Sequence, residues 1–347
     1  MKTLILPASA PDTVKMAAEF LLMGELVAIP TETVYGLGAN GLNDRAVKKV
    51  FEAKGRPQDN PLILHVARAE DLAGICENIP EAAWTLTSAL WPGPLTLVLP
   101  CRDTVPRRTT AGLQTVAVRC PDHPVTRAII QTAGVPIAAP SANRSGRPSC
   151  TTAKHVLEDM DGRIAAIVDG GDCAVGVEST ILDLTGDRPR LLRPGGMPLE
   201  TIQGLIGPVE VDSAVVRPMA AGEIPKAPGM KYRHYAPRAP VTVVKGPGPV
   251  SAEYISRHAG PESGVLCFSE YAGLFGGCTV VTFGSVTDPA DQARRVFDAL
   301  RAFDSADVTE IWAQCPPQTG LGLAVANRLT KAAGFHCIDL SEEGDQA

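Results

Sequence analysis

A chain of 347 residues with 38 acidic against 32 basic side chains carries a formal net charge of −6, so no global positive field marks it as a general nucleic-acid binder. Hydrophobic residues at 45% and charged ones at 20% suit a globular protein, and the length favours two cores over one. Nine cysteines, an odd number with no CxxC pair, argue against a zinc site or a disulfide framework and for a reduced cytoplasmic setting. No stretch approaches the roughly 20 apolar residues of a membrane span. The apolar run at 4–6 is too short for a signal peptide, despite Lys2 and Ala8-Ser9-Ala10.

In chain order, Val14, Ala17, Ala18, Leu21 and Leu22 recur at helical spacing between Pro11 and Gly24. A buried strand is expected at 26–30 and a helix at 44–52. Short apolar strands follow at 62–66, 95–99, 115–119, 137–139, 164–168, 180–184 and 191–193. Helices are expected near 81–90, 123–133, 152–159 and 198–206. Strands outnumber helices without strict alternation, so residues 1–208 are expected to form an α/β domain with a mixed sheet. Residues 209–240 hold repeated prolines and no periodicity, the mark of a linker or functional loop. Residues 241–347 then alternate strands (241–244, 265–268, 279–283, 310–313) with helices (289–303, 321–333), a small parallel-sheet α/β domain of Rossmann-like pattern with a frayed polar tail from Ser341.

Chemistry-bearing residues gather at strand ends. Gly36-Leu37-Gly38-Ala39-Asn40-Gly41 fits GxGxxG, but residues 31–35 separate it from the strand and no acidic residue closes a second strand. The glycines read better as a tight turn where backbone approaches a ligand. The run 30–38 sets Thr31, Glu32, Thr33 and Tyr35 beside those glycines. Lys54 and Arg56 sit in a Gly/Pro-restrained loop just beyond a helix, suited to phosphate. As exposed loop charges they are expected to contribute little to stability. His65 lies inside an apolar strand, where a satisfied core histidine is the commoner case. Residues 140–149 bring three serines, two arginines and an asparagine to another strand exit. Residues 176–180 and 193–196 open and close further strands. There is no Walker A pattern, no HExxH and no nucleophile elbow, which points to positioning and electrostatics over a covalent nucleophile.

Taken together, PTETVYGLGAN (30–40), KGRPQDNPLILH (54–65), WPGPLTL (91–97), APSANRSGRPS (139–149), GVEST (176–180) and RPGG (193–196) closely resemble the YrdC-like threonylcarbamoyl-AMP synthases. APGMKYRHYAP (227–237) resembles the linker of the long, two-domain form, with Ala227 where the linker often carries serine. The resemblance implies an open α/β-twist fold with a positive cleft. It also implies condensation of L-threonine with bicarbonate, attack on ATP and release of pyrophosphate, with Mg²⁺ accompanying the triphosphate. A partner complex would then transfer the threonylcarbamoyl group to tRNA. Carried over position by position, Thr33, His65, Arg119, Ala139 and Ser179 are expected to hold threonine. Lys54, Arg56, Asn60, Thr115, Ser141, Ser149 and Arg193 are expected to hold ATP, joined by His234 and Tyr235 if 226–238 folds over the cleft as a lid. The alternatives are a carbamoyl-transferring homologue, whose acylphosphatase-like and zinc-finger segments are missing here, and a non-catalytic double-stranded RNA-binding module.

Overall fold

The computed structural model describes residues 2–219, 223, 225–230 and 234–341. Two compact units emerge, Met1–Ser145 with Ser149–Lys231 and Gly146–Pro148 with Tyr232–Ala347. The stretch expected as a linker therefore divides between them.

The first unit contains strands β1 (Leu4–Pro7), β2 (Val27–Ile29), β3 (Gly36–Asn40), β4 (Ile63–His65), β5 (Leu95–Pro100) and β6 (Thr115–Arg119). It continues with β7 (Ile137–Ala138), β8 (Ala166–Asp169), β9 (Thr180–Asp183), β10 (Arg190–Arg193) and β11 (Glu210–Val211). Among the described residues these join into one mixed sheet of order β1-β8-β2-β3-β7-β4-β6-β5-β9-β10-β11. Strand alternation splits its side chains between two faces. Leu62, Leu64, Leu95, Leu97, Leu99, Val116, Val118 and Leu182 enter the main core with Val47, Val50 and Phe51 of the helix Asp44–Lys54. Full burial of each such aliphatic side chain contributes about 1.5–3 kcal/mol. The intervening residues Ile63, Val98, Ala117 and Ile181 face the other way, into a smaller cluster with Leu192, Ala214, Ala227 and Met230.

The glycines at 36–41 do not form the expected turn. Gly36–Asn40 is strand β3, antiparallel to β2, with Val27 opposite Gly38 and Ile29 opposite Gly36. No βαβ crossover follows, which removes the dinucleotide reading. The glycines answer to crowding. A Cβ on Gly38 would lie 2.9 Å from the Val27 carbonyl oxygen, and one on Gly41 2.4 Å from Leu64 Cδ2.

The second unit is an all-parallel sheet of β12 (Val241–Lys245), β13 (Ser263–Cys267), β14 (Thr279–Thr282), β15 (Glu310–Gln314) and β16 (Cys337–Asp339), in the order β14-β13-β15-β12-β16. Helices Gly248–His258, Pro289–Ala302 and Gly320–Ala332 connect them. The first of these helices, β1 and β16 were not expected from the sequence; each is short, or lacks a clean apolar stripe. The polar tail beyond Ser341 lies outside the described residues. No helix among those described is long and apolar enough to cross a membrane.

Candidate active site

Strand register assembles a polar row on the face opposite the main core. His65 on β4 and Thr96 on β5 are both register partners of Arg119 on β6. Arg119, 4% exposed, donates from Nη1 to Thr33 Oγ1 at 2.7 Å and from Nε to the Gly93 carbonyl at 3.2 Å. Thr33 is held in turn by Thr31, whose hydroxyl lies 2.8 Å from its own and accepts the Thr33 N–H at 3.1 Å. Across the row, Thr96 Oγ1 lies 2.7 Å from Ser179 Oγ. Burial, seconded by the Arg119 charge, pushes the His65 imidazole down to about 3, so it works as a neutral hydrogen-bonding group. Its Nδ1 lies 3.3 Å from the Ile63 carbonyl oxygen. Ala139, just past the end of β7 beside β4, donates its N–H to that same carbonyl at 3.0 Å. All five residues expected around threonine are thus on, or bonded to, one patch of four adjoining strands.

A second group forms at the end of the helix Asp44–Lys54. Asn43 caps its start by accepting the Arg45 and Ala46 N–H groups, and Gly55 stops it in the left-handed conformation at φ 63°. This geometry turns Lys54 inward. Its Nζ donates to the carbonyls of Ser141 and Asn143, both at 2.5 Å, and no carboxylate pairs with it among the described residues. At 4% exposure Lys54 is not the exposed loop charge expected from sequence. Burial, then the Arg56 charge, lowers its ammonium to about 7. A lysine holding two carbonyls keeps a third N–H for a ligand when protonated. Asn60 is fully buried, and neither end of its amide has a hydrogen-bond partner among the described residues. Arg56 donates to the Pro61 carbonyl at 3.3 Å. Ser141 Oγ donates to Asn143 Oδ1 at 2.5 Å, a bond within the loop whose carbonyls hold the lysine.

Ser149 donates to Glu178 Oε1 at 2.6 Å. Arg193 donates twice to the Ser179 carbonyl, at 3.1 and 2.9 Å, and joins β10 to this polar row. Gly195 is required beside it, since a Cβ there would stand 2.3 Å from the Glu178 carbonyl oxygen. Thr115 stands at the opposite end of β6 from Arg119, on the same face and about 13 Å away by strand rise. Two residues of this neighbourhood stand outside the expected ligand sets: Thr96, which was not singled out, and Glu32, which was named with the 30–38 run but given no role. Thr96 carried a signal, a lone hydroxyl at an outward position of an apolar strand. Tyr35, named with the loop, is structural: fully buried, its hydroxyl donates to the Gly171 carbonyl at 2.8 Å.

The segment expected as a lid begins on this sheet face. Ala227 and Met230 pack with Ile63, Val98 and Ala117. The Pro228 carbonyl accepts from Arg193 Nη1 at 3.3 Å, and Lys226 pairs with Asp183 at 2.8 Å. Lys231, Tyr232 and Arg233 lie outside the described residues. His234 and Tyr235 belong to the second unit, where the Tyr235 ring lies 5.1 Å from Phe297 and 5.5 Å from the Arg328 guanidinium.

Residues 19–195 match the family of Sua5, YciO and YrdC, described as telomere recombination. Residues 197–334 match the C-terminal domain of threonylcarbamoyl-AMP synthase. A threonylcarbamoyl-AMP synthase of Bacillus subtilis (strain 168) is 50% identical over 329 residues, 94% of each chain. One from Pyrococcus abyssi is 49% identical over 331 residues, 94% of this chain and 95% of its own. The crystal structure of P. abyssi Sua5 complexed with L-threonine superposes at a TM-score of 0.89, with 46% identity, over 98% of this chain and 100% of that one.

Proposed function

The chain belongs to the two-domain threonylcarbamoyl-AMP synthases, and from that premise we propose how its residues make threonylcarbamoyl-AMP from L-threonine, bicarbonate and ATP. The single observation that carries the reading is the register-built row of His65, Arg119 and Thr96 with Thr33 and Ser179 bonded to it. It offers a buried guanidinium for a carboxylate, and hydroxyls with a neutral imidazole for a hydroxyl. The Lys54–Ser141–Asn143 cradle, with Arg56, Asn60, Thr115, Ser149 and Arg193, takes ATP. Threonine and bicarbonate give a carbamate, whose oxygen attacks the α-phosphate as pyrophosphate leaves. Mg²⁺ would accompany the triphosphate and offset part of its charge beside Lys54 and Arg56. A threonylcarbamoyl-transferase complex then carries the group to tRNA. The setting is the cytoplasm, where nine free thiols remain reduced. Pyrophosphate release should need threonine and bicarbonate together; release unchanged when either is omitted would overturn the reading.

Selection of threonine follows from the hydroxyl set. A pocket whose buried groups bond the substrate hydroxyl rejects an analogue that leaves them unpaired. Serine, which keeps the hydroxyl and loses a methyl, should be used about 10- to 200-fold less well than threonine. 2-Aminobutyrate should be used far less than serine. Equal turnover of threonine and 2-aminobutyrate, compared by kcat/KM, would remove Thr33, His65 and Ser179 from these roles.

The segment 226–238 acts as a lid that completes the ATP set with His234 and Tyr235 and keeps water from a labile mixed anhydride. The packing of Ala227 and Met230 on the site-bearing face supports this. ATP with threonine should protect the segment from protease. His234→Ala/Tyr235→Ala should release more hydrolysed product per ATP consumed. A cleavage rate indifferent to substrates, with normal product retention in the double variant, would end the idea.

A further inference from the structure

Glu32 and Arg119 face one another in a way that a purely structural ion pair does not explain. Both are buried, at 9% and 4% side-chain exposure, and Glu32 Oε1 lies 2.6 Å from Arg119 Nη2. Yet the N–H bonds are not aimed at the carboxylate. Nη2 and both Glu32 oxygens are left without a hydrogen-bond partner among the described residues. The two charges offset one another, but buried polar atoms that lack aligned hydrogen bonds are costly, and this misalignment calls for a group that satisfies both. A free amino acid is such a group. As a zwitterion it adds no net charge to a neutral pair, while offering a carboxylate to Nη2 and an ammonium to Glu32.

We propose that Glu32 binds the α-ammonium of threonine and accepts its proton as the carbamate forms; this rests on the threonine site assigned above. The step balances. The amine nitrogen bonds to the bicarbonate carbon and the C–OH bond breaks. Of three ammonium protons, one stays on nitrogen, one leaves with the hydroxyl as water and one passes to Glu32. Threonine ammonium, bicarbonate and a carboxylate thus become carbamate, water and a carboxylic acid. Both partners are anchored for this role. The Glu32 carbonyl accepts the Val175 N–H at 2.7 Å, and Arg119 Nη1 is already bonded to Thr33.

Calorimetric titration of L-threonine and of 2,3-dihydroxybutanoate, which keeps the carboxylate and side-chain hydroxyl but replaces the amine, tests this without any variant. The full-length protein should prefer threonine by about 100-fold, the scale of removing one partner of a buried charge contact. Glu32→Gln, nearly isosteric, should bring the two ligands to within a few-fold of each other by weakening threonine alone. Equal affinities in the unaltered protein would overturn the proposal. So would equal weakening of both ligands by Glu32→Gln, which would make Glu32 a residue that merely positions Arg119. Threonine affinity unmoved by both Arg119→Lys and His65→Ala would sink the site itself, a failure separable from the other two.

Discussion

Arg119→Ala should lower the unfolding free energy by about 3–5 kcal/mol and reduce threonine-dependent pyrophosphate release by two to three orders of magnitude. The stability loss comes from what remains. Glu32 is 9% exposed, with its cationic contact at Arg119. Removing the guanidinium leaves a buried carboxylate without that compensating charge, the more damaging half of a broken pair. Adding Glu32→Gln to Arg119→Ala should recover part of the stability and none of the activity, because the orphaned charge is gone but the carboxylate receptor is not restored. Urea denaturation midpoints with a pyrophosphate assay separate the two effects. An Arg119→Ala protein of unchanged midpoint and turnover would show that the row on β4, β6 and β5 is a packing feature alone.

Lys54→Met carries the second large effect. Loss of the cation proposed to meet the triphosphate should cut ATP-dependent turnover by about 100-fold or more, the range for removing a charged stabiliser of phosphoryl chemistry. Its pH signature is as telling. The ammonium is lowered from 10.5 to about 7 by burial. Between those values the unfolded chain binds a proton on Lys54 that the folded chain does not. Stability therefore rises with pH across that window, and Lys54→Met should flatten the rise. A bound triphosphate favours the charged form. ATP binding near pH 8 should then take up protons, seen as a dependence of binding enthalpy on the buffer's ionisation enthalpy. No such dependence, with ATP affinity intact in Lys54→Met, would place the phosphates elsewhere.

Much of the site is legible in the sequence alone. Alternation along 115–119 already separates Thr115, Ala117 and Arg119 from Val116 and Val118, and the same rule exposes His65 beside Leu64. What alternation cannot tell is which strand lies next to which. The joining of β4, β6 and β5, and hence the pairing of His65 with Arg119 and Thr96, is a long-range choice fixed by packing of the whole sheet. The burial of Lys54 was hidden for a related reason. A helix-terminal lysine looks solvated until the loop at 141–143 supplies carbonyls from far along the chain. The glycines of β3 misled because a residue chosen for close contact and one chosen for a turn are the same letter.

The outer edge of the large sheet also sets a timetable for synthesis. β1 pairs with β8, Leu4 opposite Ala166 and Pro7 opposite Asp169, and Thr3 donates to the Ile164 carbonyl. β2 also leans on β8, Val27 opposite Ala166. On the ribosome, β1 must wait until the chain has been extended as far as β8 before its partner exists. During that interval Leu4, Ile5 and Leu6 present an unpaired strand edge, the kind of exposed template that favours mispairing between neighbouring nascent chains. Closure of non-local strands is also slow in itself, because the intervening loop must be ordered before the pairing rewards it. Fragments ending before 166 leave both strands without that partner, so a release from the ribosome at that stage yields an aggregation-prone product and not a smaller version of the enzyme.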